Sequence, residues 1–395
     1  MFDILTLNSI SQRAFDELPP SKFAVSDDFA DPHGILLRSA SMLDRPMNPN
    51  LLAVARAGAG YNNIPVSRCS QAGIVVFNTP GANANAVKEL TLAGMLLSSR
   101  KIFEGIDWVR QLKESPELKG NLTARAEEGK AKFAGPELSG KKLGVVGLGA
   151  VGVLVANACE ALEMNVSGYD PYLSVDAAWG LSRTVTRALT LRELLAESDY
   201  VTLHVPLIDA TRGWFDGAIL AQMKQGSRLL NFSRGEVVDN GAVLEALQNG
   251  HLARYVTDFP AEELLGAEGV IVLPHLGAST PEAENNCAIM AARQLRNYLE
   301  NGIVSNSVNL PDCSIGPACC PRLTIVNRNV PNVVGPLTTA LASAGMNIAN
   351  MLNKSKGDYA YNIIDLDAPC PPEALNSVAG AIAQMSGVIR VRLIP

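Results

Sequence analysis

A glycine-rich turn between a short apolar strand and an apolar-periodic helix constrains this chain more than any other stretch. The apolar run is Leu143 to Val146, and glycines follow it at positions 147, 149 and 152. In such a turn Gly147 permits the tight bend, Gly149 lets a phosphate approach the backbone, and Gly152 lets helix and strand pack closely. The helix N-terminus then presents its amides and dipole to an anion. The stretch predicts a dinucleotide-binding βαβ unit.

An acidic residue follows the second predicted strand of this unit. Asp170 comes directly after Asn165 to Tyr169. A carboxylate in this position accepts hydrogen bonds from ribose hydroxyls and repels a 2′-phosphate, which predicts NAD rather than NADP as the cofactor. The alternative is a glycine-rich turn that binds nothing. Strand, helix and acid in the expected order favour the dinucleotide interpretation.

The bulk properties limit the class of protein and the kind of partner. A chain of 395 residues suits two or three domains, and its net charge of −6 gives no electrostatic footprint for nucleic acid or an anionic membrane. The N-terminal residues do not resemble a signal peptide and no apolar run is long enough to span a bilayer, so a cytoplasmic protein with a small-molecule partner is expected. Seven scattered cysteines without a Cys-x-x-Cys pair predict neither a disulfide framework nor a metal site.

The order of apolar runs and helical patterns predicts an α/β chain with three folded parts. Residues 1–98 and 277–308 are expected to form a flavodoxin-like domain, interrupted by a Rossmann domain over 99–276. One long helix from about 86 to 109 and a connection over 113–136 with a single helical turn would lead into the Rossmann domain. A segment rich in Pro, Cys, Gly and Ser over 309–321 is interpreted as a linker, and 322–395 has the βαββαβ order of a ferredoxin-like domain.

Polar side chains follow three predicted strands of the Rossmann domain. Arg234 comes after one strand, Asp258 and Glu263 after the next, and His275 after a third. Hydride transfer from an alcohol needs a group that takes the hydroxyl proton, and histidine suits this near neutral pH. A carboxylate such as Glu263 could fix the imidazole tautomer, and arginine could grip a substrate carboxylate.

In the first domain, Arg38-Ser39 and Arg56-Ala57-Gly58-Ala59-Gly60 follow predicted strands. Small residues let backbone amides face an anion there, with the two arginines as charge partners. A structural Arg56 beside glycines that merely turn the chain is an equally good interpretation of the same residues.

These motifs, with Ser233-Arg234-Gly235-Glu236 and Pro274-His275-Leu276-Gly277, resemble the D-isomer-specific 2-hydroxyacid dehydrogenases over residues 1 to about 305. The resemblance implies Arg234, Glu263 and His275 as the catalytic set, with His275 as acid/base, and Asp258 as a contact of the nicotinamide amide. The stretch Asp258-Phe259-Pro260 departs from the family's usual Asp-Val-Phe, and the segment between Glu263 and His275 is short. The cofactor-binding residues that it implies are Gly147, Gly149, Ala150, Val151, Gly152, Asp170, Val205, Pro206, Thr211, Phe232, Ser233, Asp258, Gly277 and Ala278.

Within that family, the substrate-domain motifs are similar to those of members that oxidise D-3-phosphoglycerate. This implies Arg38, Ser39, Arg56, Gly58 and Ala59 as substrate-binding residues. The alternatives are another D-2-hydroxyacid, such as glycerate or glyoxylate, and an NAD-sensing protein without turnover. A homodimer or homotetramer fits the resemblance.

The last 74 residues resemble the ACT domain that binds small ligands in relatives. Asn329 and Asn347 match two asparagines that bind an amino-acid effector there. The position of the third effector ligand, a histidine in those relatives, is Asn327 in this chain.

Overall fold

The structure is a computed structural model that describes residues 1–114, 121–367 and 370–395. Its contacts divide the chain into two compact units. The first joins Met1–Asn83 to Pro281–Pro395, and the second is Ala84–Thr280. The expected boundary at residue 98 thus lies at the far end of a helix that belongs wholly to the second unit.

Strands and helices alternate along most of the chain. The strands are β1 (Phe2–Leu7), β2 (Phe23–Ser26), β3 (Gly34–Leu37), β4 (Ala53–Arg56), β5 (Val75–Phe77), β6 (Lys142–Val146), β7 (Asn165–Tyr169), β8 (Thr186–Arg187), β9 (Tyr200–Leu203), β10 (Ser227–Asn231), β11 (Leu252–Thr257), β12 (Val270–Val272), β13 (Arg322–Arg328), β14 (Ile348–Lys356), β15 (Tyr359–Leu366) and β16 (Val388–Ile394). The α-helices are α1 (Val66–Gln71), α2 (Ala84–Ser99), α3 (Ile102–Leu112), α4 (Leu122–Gly129), α5 (Ala150–Ala161), α6 (Val175–Gly180), α7 (Leu191–Glu197), α8 (Gly217–Leu220), α9 (Asn240–Gln248), α10 (Pro281–Asn301), α11 (Val334–Ser343) and α12 (Pro372–Ala383).

The N-terminal sheet of the first unit is parallel, with the strand order β2-β1-β3-β4-β5. This is the flavodoxin-like order, in which ligands lie outside the carboxyl ends of the strands. Helix α10 covers one face, and Ala288 and Leu295 pack there into a core with Leu36 and Ala55. The ends of β3, β4 and β5 therefore carry Arg38, Arg56 and Asn78 to one edge.

The second unit is a seven-stranded parallel sheet in the order β12-β11-β10-β9-β6-β7-β8. The chain starts in the middle, moves to one edge and then fills the other side, which is the doubly wound Rossmann topology. Its central strands are buried on both faces, as parallel sheets covered by helices require. The predicted Rossmann-type architecture is confirmed.

Two connecting regions of the second unit differ from the sequence-based expectation. The single helix expected from 86 to 109 is two helices, α2 and α3, because the backbone of Gly135 crosses the end of α2. A side chain at 135 would come within 2.1 Å of the Ser99 carbonyl oxygen. The expected single turn over 113–136 is α4 followed by a 3-10 helix, Lys130–Phe133, although 115–120 lie outside the described residues.

The C-terminal residues form an antiparallel sheet in the order β14-β15-β13-β16, with α11 and α12 on one face. This is the predicted ferredoxin-like arrangement. The other face, through Val326, Tyr361 and Ile363, shares a core with α10. The Tyr361 hydroxyl donates to the Gly302 carbonyl at 2.7 Å.

The segment interpreted as a linker is also packed against this core. The fully buried Arg322 binds Asp365 through Nε and Nη2, at 2.6 and 3.0 Å, and the carbonyls of Asn301 and Gly316 through Nη1. Leu310 and Cys313 are both 1% exposed. The residues around 309–321 thus tie the C-terminal sheet to the end of α10. In the described ranges, no helix is long and apolar enough to cross a membrane.

Candidate active site

The three glycines of the turn have different structural roles. An added Cβ at Gly147, whose φ is +90°, would lie 2.6 Å from the His204 carbonyl oxygen, and one at Gly152 would lie 2.0 Å from the Gly147 carbonyl oxygen. A Cβ at Gly149 would meet nothing within 4 Å. Gly147 and Gly152 are therefore required by backbone packing, whereas Gly149 borders open space at the N-terminus of α5. That space suits a phosphate group.

Asp170 is fixed at the end of β7 beside this turn. Its Oδ2 accepts the Leu148 N–H at 2.9 Å and its Oδ1 accepts the Tyr172 N–H at 2.8 Å. Backbone donors thus hold the carboxylate at the place where the adenosine ribose lies in Rossmann domains.

The other expected cofactor-binding residues lie at the same carboxyl edge of the sheet. Ala150 and Val151 open α5, and Val205 and Pro206 follow β9. Thr211 Oγ1 donates to the Pro206 carbonyl at 2.6 Å, which closes the loop after β9.

After β10, Phe232 and Ser233 are both buried, at 5% and 9% exposure. The Ser233 hydroxyl donates to Asn231 Oδ1 at 2.8 Å. Ala278 lies beside Gly277 in the loop that precedes α10.

His204 lies just beyond β9, with its Nε2 at 3.0 Å from Thr202 Oγ1. Burial disfavours the imidazolium and lowers the pKa of His204 to about 3. The ring is therefore neutral at physiological pH and is unsuited to acid/base catalysis there.

The surroundings of Asp258 show whether the second unit can accept a nicotinamide cofactor. Its residue exposure is 1%, and its Oδ2 accepts the Gly277 N–H at 2.9 Å, while Oδ1 is buried without a partner. Burial raises the pKa of this carboxyl, and the Gly277 N–H, His275 and Arg234 act in the opposite direction. A buried acceptor left unpaired costs free energy. A carboxamide N–H donor would satisfy it, so these residues fit the group.

Two of the three expected catalytic residues lie around Asp258. Arg234 directly precedes a 3-10 helix, Gly235–Val237, and its Nη1 donates to the Ser233 carbonyl at 2.6 Å. The His275 N–H donates to the Asp258 carbonyl at 2.9 Å, and its ring packs edge-on against Phe259 with centroids 5.0 Å apart. The φ of His275 is +23°, a sparsely populated value that is often found at functional sites.

Glu263, the third expected residue, does not contact His275 through any hydrogen bond of the described residues. It lies exposed on the 3-10 helix Glu262–Leu264, and its Oε1 accepts the Asn240 side-chain N–H at 2.8 Å. This bond lowers the pKa of the Glu263 carboxyl. The pairing with Asn240, at the first turn of α9, was not predicted from the sequence.

The substrate-domain arginines are held differently. Arg38 Nη2 forms an ion pair with Glu284 Oε1 of α10 at 2.7 Å, and both side chains are more than two-fifths exposed. Arg56 donates through Nε to the Arg38 carbonyl at 3.0 Å and through Nη1 to the Gly60 carbonyl at 2.7 Å. Arg56 thus braces the ends of two strands, which favours the structural interpretation of this residue. Ser39 is exposed.

The Gly58 loop is organised by residues that follow β5. The Gly58 N–H donates to Thr79 Oγ1 at 2.8 Å, and Asn78 Nδ2 donates to the Ala59 carbonyl at 2.7 Å. Gly58 is required because its φ of +152° is one that other residues rarely adopt, and an added Cβ would also lie 2.6 Å from Arg56 Nη1. Its amide is already bonded, so the shape of this loop depends on Thr79, which sequence reasoning did not identify as a functional residue.

The asparagines of the expected effector site lie far apart within one chain. The Asn329 N–H and Nδ2 bind the carbonyls of the β14–β15 turn, whereas Asn347 Nδ2 binds Asp367 at the opposite end of the hairpin. The two ends of β14 are about 25 Å apart at the usual rise per residue. Asn327 is buried and bonded to Asn362. These three positions do not form one pocket in a single chain.

The doubly wound sheet, its glycine turn and the polar residues around Asp258 define a nicotinamide-dependent dehydrogenase fold. The sequence profile of the D-isomer specific 2-hydroxyacid dehydrogenase NAD binding domain matches residues 92–277. D-3-phosphoglycerate dehydrogenase of Haemophilus influenzae is 31% identical over 379 residues, which cover 92% of this chain and 87% of that enzyme. The chain belongs to the D-isomer specific 2-hydroxyacid dehydrogenase family, and its cofactor is NAD.

Other relatives differ in how much of their length is matched. The D-3-phosphoglycerate dehydrogenase of Archaeoglobus fulgidus is 36% identical over 308 residues, 74% of this chain and 55% of that enzyme. The chain thus spans about half the length of that relative. The NAD⁺-bound 3-phosphoglycerate dehydrogenase of Entamoeba histolytica is 24% identical with a TM-score of 0.60, covering 78% of this chain and 98% of that structure, which supports the fold.

Proposed function

We propose that this chain oxidises D-3-phosphoglycerate to 3-phosphohydroxypyruvate with NAD, the first step of L-serine biosynthesis. The observation that carries the proposal is the placement of Arg234 and His275 around a buried carboxylate with one unpaired oxygen, Asp258 Oδ1. The relatives named D-3-phosphoglycerate dehydrogenase, which extend across 98% of this chain in the Escherichia coli case, support the choice of substrate.

The chemistry is assigned to residues of the second unit. The Arg234 guanidinium would hold the substrate carboxylate and polarise the C2 oxygen as it becomes a carbonyl. His275 would take the C2 hydroxyl proton as the C2–H bond breaks. Bound NAD would accept the hydride. The buried Asp258 would orient the nicotinamide amide.

Glu263 is assigned the support of His275 in the working enzyme. A carboxylate bonded to the imidazole favours the protonated form that arises when His275 takes the hydroxyl proton. This role requires Glu263 to exchange its bond to Asn240 for one to His275, since the Asn240 bond is the one present in this structure.

In the first unit we assign Arg38 to the substrate phosphate. Its side chain is two-fifths exposed and follows β3, and its Nη2 is paired with Glu284. Ser39, Arg56, Gly58 and Ala59 would complete the substrate-binding surface, with Arg56 acting chiefly through the shape of the loop.

We also propose a homodimer through the second unit, extended to a tetramer by pairing of C-terminal sheets. Phe103, Ile106 and Val109 form an apolar stripe on α3 and are 58%, 46% and 48% exposed. A stripe of this kind is typical of a helix that packs against a partner. Pairing of C-terminal sheets would also allow Asn329 of one copy to meet Asn347 of another, as an amino-acid effector site requires.

The test follows NADH absorbance with D-3-phosphoglycerate and NAD, and with 3-phosphohydroxypyruvate and NADH in reverse. Glycerate, glyoxylate and hydroxypyruvate serve as unphosphorylated comparisons, each with and without L-serine. We expect kcat/KM to be highest for the phosphorylated pair. Activity confined to the unphosphorylated acids would contradict the proposal.

One observation favours a second candidate, a dehydrogenase of an unphosphorylated D-2-hydroxyacid. Arg38 is already paired with Glu284, so a phosphate would have to compete with a carboxylate for its guanidinium. The same substrate panel separates the two candidates.

A further inference from the structure

A cavity of about 560 Å³ lies in the first unit where four segments of the chain meet. Its polar lining comes from the loops after β4 and β5, from the segment that follows α10, and from the β14–β15 hairpin. The residues concerned are Tyr61, Asn78, Asn306, Ser307, Asp312 and Lys356. None of them belongs to the expected catalytic or cofactor-binding set.

The cavity presents one positive and one negative charge. Lys356 Nζ donates to the Ser307 carbonyl at 2.8 Å, which leaves two further ammonium N–H groups for a ligand. Asp312 is exposed and makes no ion pair with any residue in the part of the chain that the structure describes. The two side chains therefore line one cavity without neutralising each other.

We propose that this cavity is an effector site for a small zwitterion, a molecule with a carboxylate and an ammonium group a few ångströms apart. The carboxylate would meet Lys356 and the ammonium group would meet Asp312. An anion alone would leave Asp312 unpaired beside it, and a cation alone would face Lys356. A zwitterion is the class of ligand that satisfies both residues.

The lining residues connect the cavity to the substrate-binding loop. Asn78, on the cavity wall, holds the Ala59 carbonyl through its Nδ2, and Thr79, the next residue, accepts the Gly58 N–H. A ligand that bonds to Asn78 shifts the support of the loop that the proposed function assigns to the substrate. The expected effect is a change in KM for the substrate.

The hairpin side of the cavity is also bonded to the residues around β5. Ser307, whose carbonyl receives Lys356, pairs with Phe77 at the end of β5. The C-terminal sheet thereby acts on the substrate-binding loop through a short chain of bonded residues. The cavity lining includes neither Asn329 nor Asn347. Asn347 lies at the opposite end of β14, whereas Asn329 bonds to the same hairpin turn through the Gly357 carbonyl.

Binding is tested by isothermal titration calorimetry on the full chain, without any turnover. The probes are glycine, β-alanine and L-serine, with acetate and ethylamine as singly charged comparisons. We expect at least one zwitterion to bind and the singly charged probes to bind at least about tenfold more weakly. Lys356→Met and Asp312→Asn should each weaken binding by at least about tenfold. Lys354→Met, on the same strand but outside the lining, should bind as the wild type does.

The coupling to the substrate is tested by steady-state kinetics, and this part rests on the proposed function. A saturating zwitterion should change KM for the substrate by about fivefold or more in the wild type and not in Lys356→Met. Circular dichroism and melting temperature confirm that the variants are folded.

The outcomes are distinguishable. Absence of binding by all three zwitterions, equal binding by acetate, or binding that ignores both variants overturns the site. If the enzyme turns over and a bound zwitterion leaves KM for the substrate unchanged, the cavity is not coupled to the substrate-binding loop. Binding that depends on Lys356 in a chain without dehydrogenase activity would sink the proposed function and leave the site standing.

Discussion

Asp258 and Gly277 are joined by a hydrogen bond of 2.9 Å that fixes the carboxylate while its second oxygen stays buried and unpaired. Asp258→Asn can keep the bond to Gly277 but turns an amide N–H toward the place of the unpaired oxygen. We expect the Kd for NADH to rise by at least about tenfold, because two donors would then face each other. NADH fluorescence titration measures it, with the exposed Asp209→Asn as control. If Asp258→Asn binds NADH as tightly as the wild type does, Asp258 does not orient the nicotinamide amide.

The glycine turn offers a matched pair of substitutions. Gly152→Ala should prevent folding of the second unit, since its Cβ would lie 2.0 Å from a backbone carbonyl oxygen. Gly149→Ala meets nothing within 4 Å and should fold normally, but it should weaken NADH binding because the methyl group occupies the space for phosphate. Melting curves and NADH titration check both. A folded Gly149→Ala that binds NADH normally would contradict the phosphate assignment.

His275, the proposed acid/base, and Glu263, its proposed support, are expected to differ in their kinetic signatures. His275→Asn should lower kcat by about 10²-fold to 10⁴-fold while NADH affinity stays near wild type. Glu263→Gln should leave the melting temperature close to that of the wild type because the side chain is exposed. It should nevertheless shift the pH profile of kcat/KM if Glu263 moves to His275 during turnover. An unchanged pH profile would mean that Glu263 does not support His275 and serves only as the partner of Asn240.

Arg38 and Arg56 should separate substrate binding from structure. Arg38→Met removes an exposed ion pair and should alter the melting temperature little, yet it should raise KM for the phosphorylated substrate and not for glycerate. Arg56→Met frees the carbonyls of Arg38 and Gly60 that its guanidinium holds, so it should lower the melting temperature. If Arg56→Met instead raised KM and Arg38→Met lowered the melting temperature, Arg56 would be the phosphate ligand and Arg38 the structural residue.

His204 should make stability depend on pH. Its pKa is lowered from 6.5 to about 3 in the folded chain, so below pH 6.5 the unfolded chain binds a proton that the native chain excludes. Stability should therefore fall as pH drops below 6.5, by at most about 1.4 kcal/mol per pH unit. Urea unfolding between pH 7 and pH 5 measures this loss, and His204→Gln should show less of it. Equal pH dependence in both proteins would contradict a buried neutral ring.

The sequence predicted the features that depend on local spacing. The strand, glycine turn, helix and Asp170 follow one another along the chain, so their order in the sequence is enough to identify the motif. The βαββαβ order of the last strands was predicted for the same reason.

Pairings between distant positions could not be predicted. Glu263 with Asn240, and Arg38 with Glu284, join loops and helices whose approach depends on how the sheets pack. The break between α2 and α3 depends on Gly135, which crosses the helix end from a later segment. The sharing of one core by α10 and the C-terminal sheet also escaped prediction, because apolar residues on a strand do not reveal which neighbour they face.

Because of the buried contacts of Arg322 and Tyr361, the C-terminal sheet is not an independent domain. A chain cut before residue 322 would strip the cover from Tyr298 and Leu299 on α10, at the far end of the helix that carries Glu284 to Arg38. If the C-terminal sheet were replaced by that of a relative, the face of α10 that it covers would have to be replaced as well. A substitution on this side of α10 is thus felt by the substrate-binding and C-terminal parts of the chain alike.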